Sequence, residues 1–350
     1  MNKPTLLDVA RAAGVSYATA DRVLNARGGV AEKSIQRVQR AIEDLGYERD
    51  LHAANLSRRR TYAFRFLVPQ GDHAFFRELR HSLEAERAPR RSNRISIFVQ
   101  EIPALDPEAL ADALDRIQVS DCDCLAVVAT DAPRVTQAIT RLTAQGMPVI
   151  TLVGDAAPDA RAAYVGIDNV MAGRTAGRLI RLAHTGRTGR ILPVVGALTA
   201  RDHRDRLDGV REVLGEPGGS LDLMAPVAVQ DRADRMRVEV GQALRAAPDI
   251  TGIYSIGAGN RALIEIMAQL PGQRPFVVLH ELTPVSRDGL ERGLIDAVID
   301  QMPAREIAVA LDVMKALADG RDLATAARDI TPTIYLRDNL PVPGRQGDTT

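Results

Sequence analysis

TLLDVARAAGVSYATADRVLNARGGVAEKSIQRVQRAIEDLGYERDLHAANL, residues 5–56, holds three short amphipathic segments punctuated by glycine and ends in small residues before Leu56. Thr5 stands where an N-cap belongs, and Asp8 falls in the first turn, where its charge suits the helix dipole. Leu6, Val9, Ala10 and Ala13 follow the i, i+3, i+4, i+7 spacing of one buried face. Gly14 supplies the left-handed residue that closes this helix. Val15 fills the corner, and Ser16 is placed to cap a second helix running to about Ala26. Two short helices hinged on glycine make a helix-turn-helix, whose second helix is the one that enters a DNA major groove.

On that second helix Ala20, Val23 and Leu24 are expected to point inward, leaving Tyr17, Ala18, Asp21, Arg22 and Asn25 on the outer face. Arg22 has the donor fork to grip a guanine edge, and Tyr17 offers an aromatic face with a hydroxyl. Ser16, Thr19 and Asn25 suit phosphate oxygens, contacts that position a protein without reading sequence. A third helix is expected over residues 31–45, with Ile35, Val38, Ile42 and Leu45 as its stripe and Gly46 as its end. Residues 50–61, DLHAANLSRRRT, are too few to hold a helix alone in water. They form either a flexible basic linker or a segment that folds on DNA, with Leu56 wedged into a minor-groove step and Arg58 and its neighbours on phosphate.

The chain of 350 residues carries no net charge, with 45 Lys and Arg against 45 Asp and Glu, yet the charge is unevenly placed. Residues 1–60 hold 11 Lys and Arg against 7 Asp and Glu, a net +4, and the remainder is net −4. A basic head on a mildly acidic body fits DNA contact confined to the head. No apolar run is long enough to span a bilayer, and MNKPTLLDVARAAG lacks an apolar signal core, so a cytoplasmic protein without a membrane role is expected. Cys122 and Cys124 lie too close for zinc-site spacing and read as thiols in a buried strand; no metal or cofactor is called for.

From residue 62 the pattern becomes strands alternating with helices. AFRFLV (63–68), RISIFVQEI, CLAVVA and PVITLV read as four strands, with helices over 75–87, 107–118 and 132–145. After AAYVGIDN the rhythm repeats through RILPVV, PVAV, GIYSI, FVVL and DAVID, ending with a helix at 303–318 and TIYL near 333–336. This βα alternation implies parallel sheets covered on both faces, here two doubly wound halves forming a clamshell. Ligands in such folds bind at the carboxyl ends of strands. Candidates there are Phe75 and Phe76 after the first strand, Arg204 and Arg206 in ARDHRDRLDGV, Asn260, His280, Glu281 and Gln301. The expected layout is a helix-turn-helix domain over 1–49, a hinge over 50–61, an effector-binding and dimerisation domain over 62–338, and a loose tail over 339–350.

LLDVARAAGVSYATADRVLN, VAEKSIQRVQRAIEDLGY and AANLSRRRT together resemble the DNA-binding head of the lactose and purine repressor family, without a gap. The resemblance implies that the recognition helix starts at Tyr17 and Ala18 and includes Arg22. It also implies that the hinge becomes helical on DNA, and that two copies insert Leu56 at the centre of a palindrome. Asp21 stands where that family more often has a serine on phosphate, so it is assigned no DNA contact. Residues 62–336 are similar to sugar-binding proteins of the ribose-binding type. That similarity implies that Phe75 and Phe76 wall a sugar and that Arg206, then Arg204, is the ligand arginine. It further implies that Glu281 is the hydroxyl-binding carboxylate, beside His280, and that Gln301 touches the ligand. TLVG (151–154) departs from the pattern, placing Val153 and Gly154 where sugar binders carry an Asp-Arg pair. The resemblance implies a homodimeric repressor on near-palindromic double-stranded operator DNA, controlled by a sugar, polyol or sugar acid. A transport receptor would lack the helix-turn-helix. An enzyme on this fold would need a catalytic set, and no Ser-His-Asp, HExxH or CxxC arrangement supplies one; GAGN (257–260), a Gly-rich hint of nucleotide binding, lacks GxGxxG spacing.

Overall fold

The computed structural model describes residues 4–24, 28–47, 60–71, 73–92, 94–230, 232–257, 259–323, 326 and 329–342. The chain divides into two compact units, Met1–Arg60 and Thr61–Thr350.

The head contains α1 (Leu6–Ala13), α2 (Tyr17–Leu24) and α3 (Glu32–Leu45). Thr5 and Asp8 form a reciprocal capping box, and Gly14 and Gly46 close α1 and α3 in the left-handed conformation. Val9, Ala10, Ala13, Ala20, Val38 and Ala41 make the core. Of the expected α3 stripe, Val38 is buried and Ile42 packs on the core, but Leu45 is 38% exposed and Ala41 is buried instead. A small side chain lets α1 and α3 approach closely, and Arg37 seals the junction by donating to the carbonyls of Ala13 and Gly14. Asn25, Leu56 and Arg58 lie outside the described residues.

The body is built on two sheets. The first has five parallel strands in the order β2-β1-β3-β4-β5: β1 (Tyr62–Pro69), β2 (Ile95–Ile102), β3 (Cys124–Val127), β4 (Val149–Leu152) and β5 (Ala163–Val165). It carries α4 (Ala74–Ser92), α5 (Pro107–Asp115) and α6 (Pro133–Ala144). The second runs in the order β12-β11-β10-β9-β6-β7, with β8 on β6. Its strands are β6 (Gly189–Val195), β7 (Leu221–Leu223), β8 (Val227–Ala228), β9 (Ile250–Ser255), β10 (Phe276–His280), β11 (Ala297–Asp300) and β12 (Thr333–Tyr335). Only β12, at the edge, is antiparallel. The helices of this half are α7 (Asn169–Ala183), α8 (Arg201–Leu214), α9 (Ala233–Arg235, continuing through a π-helical Met236–Val240 and Gly241–Ala246), α10 (Asn260–Gln269) and α11 (Pro284–Glu291). The last helix, α12 (Pro303–Ala318), returns to pack on the first sheet.

The chain therefore passes between the lobes three times: after β5, after β11, and on the way from α12 to β12. A parallel bridge from Ile167 to Ile330 ties the first and third passages together. One apolar core runs through both lobes, from Phe64 and Phe66 to Tyr254 and Val278, and a second core covers the far face of each sheet. Cys122 and Cys124 are free and buried, and burial lifts the Cys122 thiol to about 11, so neither is a poised nucleophile.

Candidate functional site

The carboxyl ends of the strands converge on a cavity of about 100 Å³ that draws residues from both lobes. From the first lobe come His73, Phe75, Phe76, Thr130 and Val153, and from the second Asp202, His203, Arg206, Glu281 and Gln301. Phe75 and Phe76 meet edge to face at the start of α4, and Phe76 lies against the His73 ring. A cavity of about 150 Å³ is what takes a benzene ring, so a larger ligand requires the lobes to part.

Arg206, only 2% exposed, is locked in place by two hydrogen bonds. Its Nε donates to Asn169 Oδ1 (2.8 Å) and its Nη1 to the Ile256 carbonyl (2.9 Å). Its Nη2 has no partner among the described residues. Glu281 and Gln301, 5% and 2% exposed, share one hydrogen bond in which Gln301 Nε2 donates to Glu281 Oε1 (2.6 Å). That leaves Glu281 Oε2 and Gln301 Oε1 without partners among the described residues. Buried polar atoms rarely stay unpaired in a native fold unless something else satisfies them. One guanidinium donor and two carboxamide or carboxyl oxygens thus form a set ready for hydroxyl groups.

Three of the strand ends around this cavity carry backbone strain. Val153, Glu281 and Met302 have φ of 64°, 73° and 60°, a region that a β-branched valine above all avoids. Behind the cavity, Tyr164 Oη lies 3.0 Å from the carbonyl oxygens of both Val153 and Ile167, and Asn169 Nδ2 donates to it (3.3 Å). Arg206, Asn169, Tyr164 and the Ile167 passage are therefore joined by an unbroken series of hydrogen bonds.

The acidic groups here are buried against one another. Burial, reinforced by Asp300 and opposed by Arg206, pushes the Glu281 carboxyl up to about 8. Glu306, fully buried at the start of α12, is raised well above the carboxylate range by burial and by Glu281. Burial also holds the His280 imidazole well below its ordinary value. Between pH 6.5 and 8 the folded chain keeps a proton on Glu281 that the unfolded chain has released. Stability should therefore fall as pH rises, by up to about 1.4 kcal/mol per unit for each such group. Below pH 6.5 His280 works in the opposite direction, since unfolding lets it take up a proton. Glu281→Gln should flatten the decline in thermal stability between pH 6.5 and 8; an unchanged slope would reject Glu281 as its source.

Five of the sequence candidates, Phe75, Phe76, Arg206, Glu281 and Gln301, line this cavity. Arg204, His280 and Asn260 do not. Arg204 points to the cleft rim, donating to the Leu198 and Thr199 carbonyls and pairing with Asp131 of the other lobe. His280 is fully buried and shares a 2.8 Å hydrogen bond with Tyr254 Oη. Asn260 accepts from Ser255 Oγ (2.8 Å) and donates to the His280 carbonyl (3.0 Å), which fixes the loop after β9. The sequence reading missed Asn169, Tyr164 and Glu306, and their neighbours Asp202 and His203. Asn169 follows Asp168 at a helix start and reads as capping, while Glu306 sits in a first turn where acids are ordinary.

On the head, Ser16, Tyr17, Ala18 and Arg22 are exposed, Tyr17 by 55%, and Thr19 is half-buried. Ser16 Oγ accepts from Thr19 N (3.1 Å) and meets Thr19 Oγ1 at 2.8 Å, so both hydroxyls gather at the N-terminus of α2. A helix N-terminus with exposed hydroxyls is suited to phosphate.

A cleft between two doubly wound lobes, with polar groups unpaired inside it, defines a small-molecule-binding protein. Residues 64–322 match the periplasmic binding protein domain, and the chain belongs to that family; residues 5–50 match the bacterial regulatory proteins of the lacI family. The HTH-type transcriptional regulator DegA of Bacillus subtilis is 27% identical over 257 residues, 72% of this chain and 73% of that protein. The ribose operon repressor of Escherichia coli is 26% identical over 275 residues, 76% of this chain and 80% of the repressor. In fold, the chain is similar to GanP, a glucose-galactose binding protein from Geobacillus stearothermophilus. The TM-score is 0.73 at 18% identity, over 81% of this chain and all of GanP. No helix among the described residues is long and apolar enough to cross a membrane.

Proposed function

We propose that this chain is a ligand-responsive transcriptional repressor that binds a near-palindromic operator as a homodimer and senses a small sugar-like effector in the cleft. The observation that carries this reading is the pairing, in one chain, of an exposed α2 face on a capped helix-turn-helix with a cleft holding unpaired buried polar atoms. The head supplies DNA contact through Ser16, Tyr17, Ala18, Thr19 and Arg22, with Asn25, Leu56 and Arg58 added from the sequence resemblance. Relatives that are sugar-operon repressors support the assignment. Binding, not turnover, is the body's task, and it is carried out in the cytoplasm, where the operator lies.

The proposed coupling runs from Arg206 through Asn169 and Tyr164 to the Ile167 passage between the lobes. An effector that engages Arg206 favours one angle between the lobes, and only the differential affinity for the two angles can change operator binding. Selection from randomised DNA should return a two-fold symmetric site, and Arg22→Ala should relax discrimination at one base pair by about 1–3 kcal/mol. A selected site without symmetry would remove the dimer, and an unchanged base preference would remove Arg22 as a reader. An effector found by thermal shift should alter operator affinity by roughly 5–150-fold. Tyr164→Phe should bind that effector nearly as well while losing most of this response; an intact response would reject the route.

A further inference from the structure

The two walls of the cavity are chemically unlike. On the second lobe, Arg206 Nη2, Glu281 Oε2 and Gln301 Oε1 present three unpaired polar atoms from side chains more than nine-tenths buried. Arg206 donates, Gln301 Oε1 accepts, and Glu281 Oε2 either accepts or, when protonated, donates. Hydroxyl groups, which do both, satisfy such a mixed set.

The first lobe offers almost nothing polar. Phe75, Phe76, Val128, Ala129 and Val153 line most of it; its polar side chains are His73, just before α4, and Thr130, whose Oγ1 has no partner among the described residues. The backbone there is already engaged: Val153 N donates to the Val165 carbonyl (2.9 Å), Tyr164 Oη lies on the Val153 carbonyl, and Gly154 N reaches the Leu152 carbonyl (2.7 Å). Nor has Gly154 room for a side chain, since a Cβ would stand 2.5 Å from the Ala129 carbonyl oxygen. A hydroxyl pressed against this wall away from His73 and Thr130 gives up its water and receives no partner.

Charge narrows the class further. Asp202 and Glu281 line the cavity together with the single Arg206 guanidinium, and the buried Glu306 feels both Glu281 and Arg206. A ligand carboxylate would enter a space where burial already drives the protein's own carboxyls to hold protons, with no Lys or Arg besides Arg206 among the described lining residues.

We propose that the effector is a neutral deoxy sugar, with hydroxyls along the edge toward Arg206, Glu281 and Gln301 and a bare carbon edge or methyl group against Val153 and the phenylalanine pair. This rests on the reading of the body as a sugar sensor. Titration calorimetry of the full chain with matched pairs tests it: L-fucose against L-galactose, L-rhamnose against L-mannose, 2-deoxy-D-ribose against D-ribose, with D-galacturonate as the acid. At least one deoxy member should bind about 10- to 100-fold more tightly than its hydroxylated partner, the discrimination that an apolar wall gives against an added hydroxyl. Val153→Asp supplies an acceptor at a backbone position that aspartate tolerates better than valine, and should shrink or reverse that ratio. Val153→Thr, nearly isosteric, serves if the aspartate does not fold. Hydroxylated partners binding as well as or better than every deoxy member would overturn the inference and leave sugar sensing intact. Tightest binding by the galacturonate would do the same. Binding by no member would count against both.

Discussion

Arg206→Met should lower affinity for the sugar that most stabilises the wild-type protein by at least about 100-fold, and operator binding should cease to respond to it. The change nearly conserves volume, so it opens little cavity, but it removes every donor that the guanidinium presents. A hydrogen bond to a charged group contributes about 1.5–3 kcal/mol, and Nη2 is the only cationic donor without a partner among the described cavity residues. The substitution also strands Asn169 Oδ1 and the Ile256 carbonyl, which now accept from Nε and Nη1. Each buried acceptor left unpaired costs about 1–3 kcal/mol, so the body should also unfold at lower temperature. Arg206→Lys separates charge from geometry, because lysine restores a cation without the planar fork that holds Asn169 and Ile256 together. It should recover less than a tenth of the lost affinity. Operator affinity without sugar should stay within a few-fold of wild type, since the head is a separate compact unit. A methionine variant that titrates the sugar like the wild-type chain would remove Arg206 from the site.

Arg204 shows where sequence reading reaches its limit. By residue type and position alone Arg204 and Arg206 look interchangeable in ARDHRDRLDGV, and only the family resemblance ranks Arg206 first. Two residues are about 200° of helix rotation, so when one arginine points into the fold the other points to the rim. Which is which depends on the face that α8 lays against α7, and that is a tertiary fact. The strand and helix alternation was legible because parallel strands covered on both faces are continuous apolar runs. The three-residue β5 and β7 were not, being too short to carry any period. Phe75 and Phe76 were legible through their position after β1. Asn260 and His280 were placed at the right strand ends, but Asn260 turns to the His280 carbonyl and the His280 ring to Tyr254, and residue type alone does not fix that. Glu306 was invisible because only the fold makes it buried.

Gly173→Ala should cost more than about 3 kcal/mol in body stability, and Gly173→Leu should leave no folded body to assay. In an open helix interior the alanine change would stabilise, because glycine is about 0.8–1 kcal/mol worse than alanine there. Gly173 is not open. A Cβ on it would fall inside the contact radius of the Arg206 carbonyl oxygen, and the next nearest atoms are Arg206 backbone as well. Gly209 repeats the arrangement from α8, where a Cβ would strike the Val170 carbonyl, and Gly177 lies against Val213 one turn on. Overpacking a core by a methylene usually costs about 1–3 kcal/mol because side chains give way, but here the obstacle is backbone. Relief requires α7 and α8 to separate, and that movement lengthens the Arg206–Asn169 bond now at 2.8 Å. Gly173→Ala should therefore lose affinity for the sugar together with stability, coupling helix spacing to the cleft. Gly241→Ala, at the start of the last segment of α9, is the matched control, since its Cβ would meet only the flexible Arg245 side chain at 3.4 Å. It should be neutral or gain up to about 1 kcal/mol. If the two alanine variants unfold at the same temperature and bind the sugar alike, the close approach of α7 and α8 is not what seats Arg206.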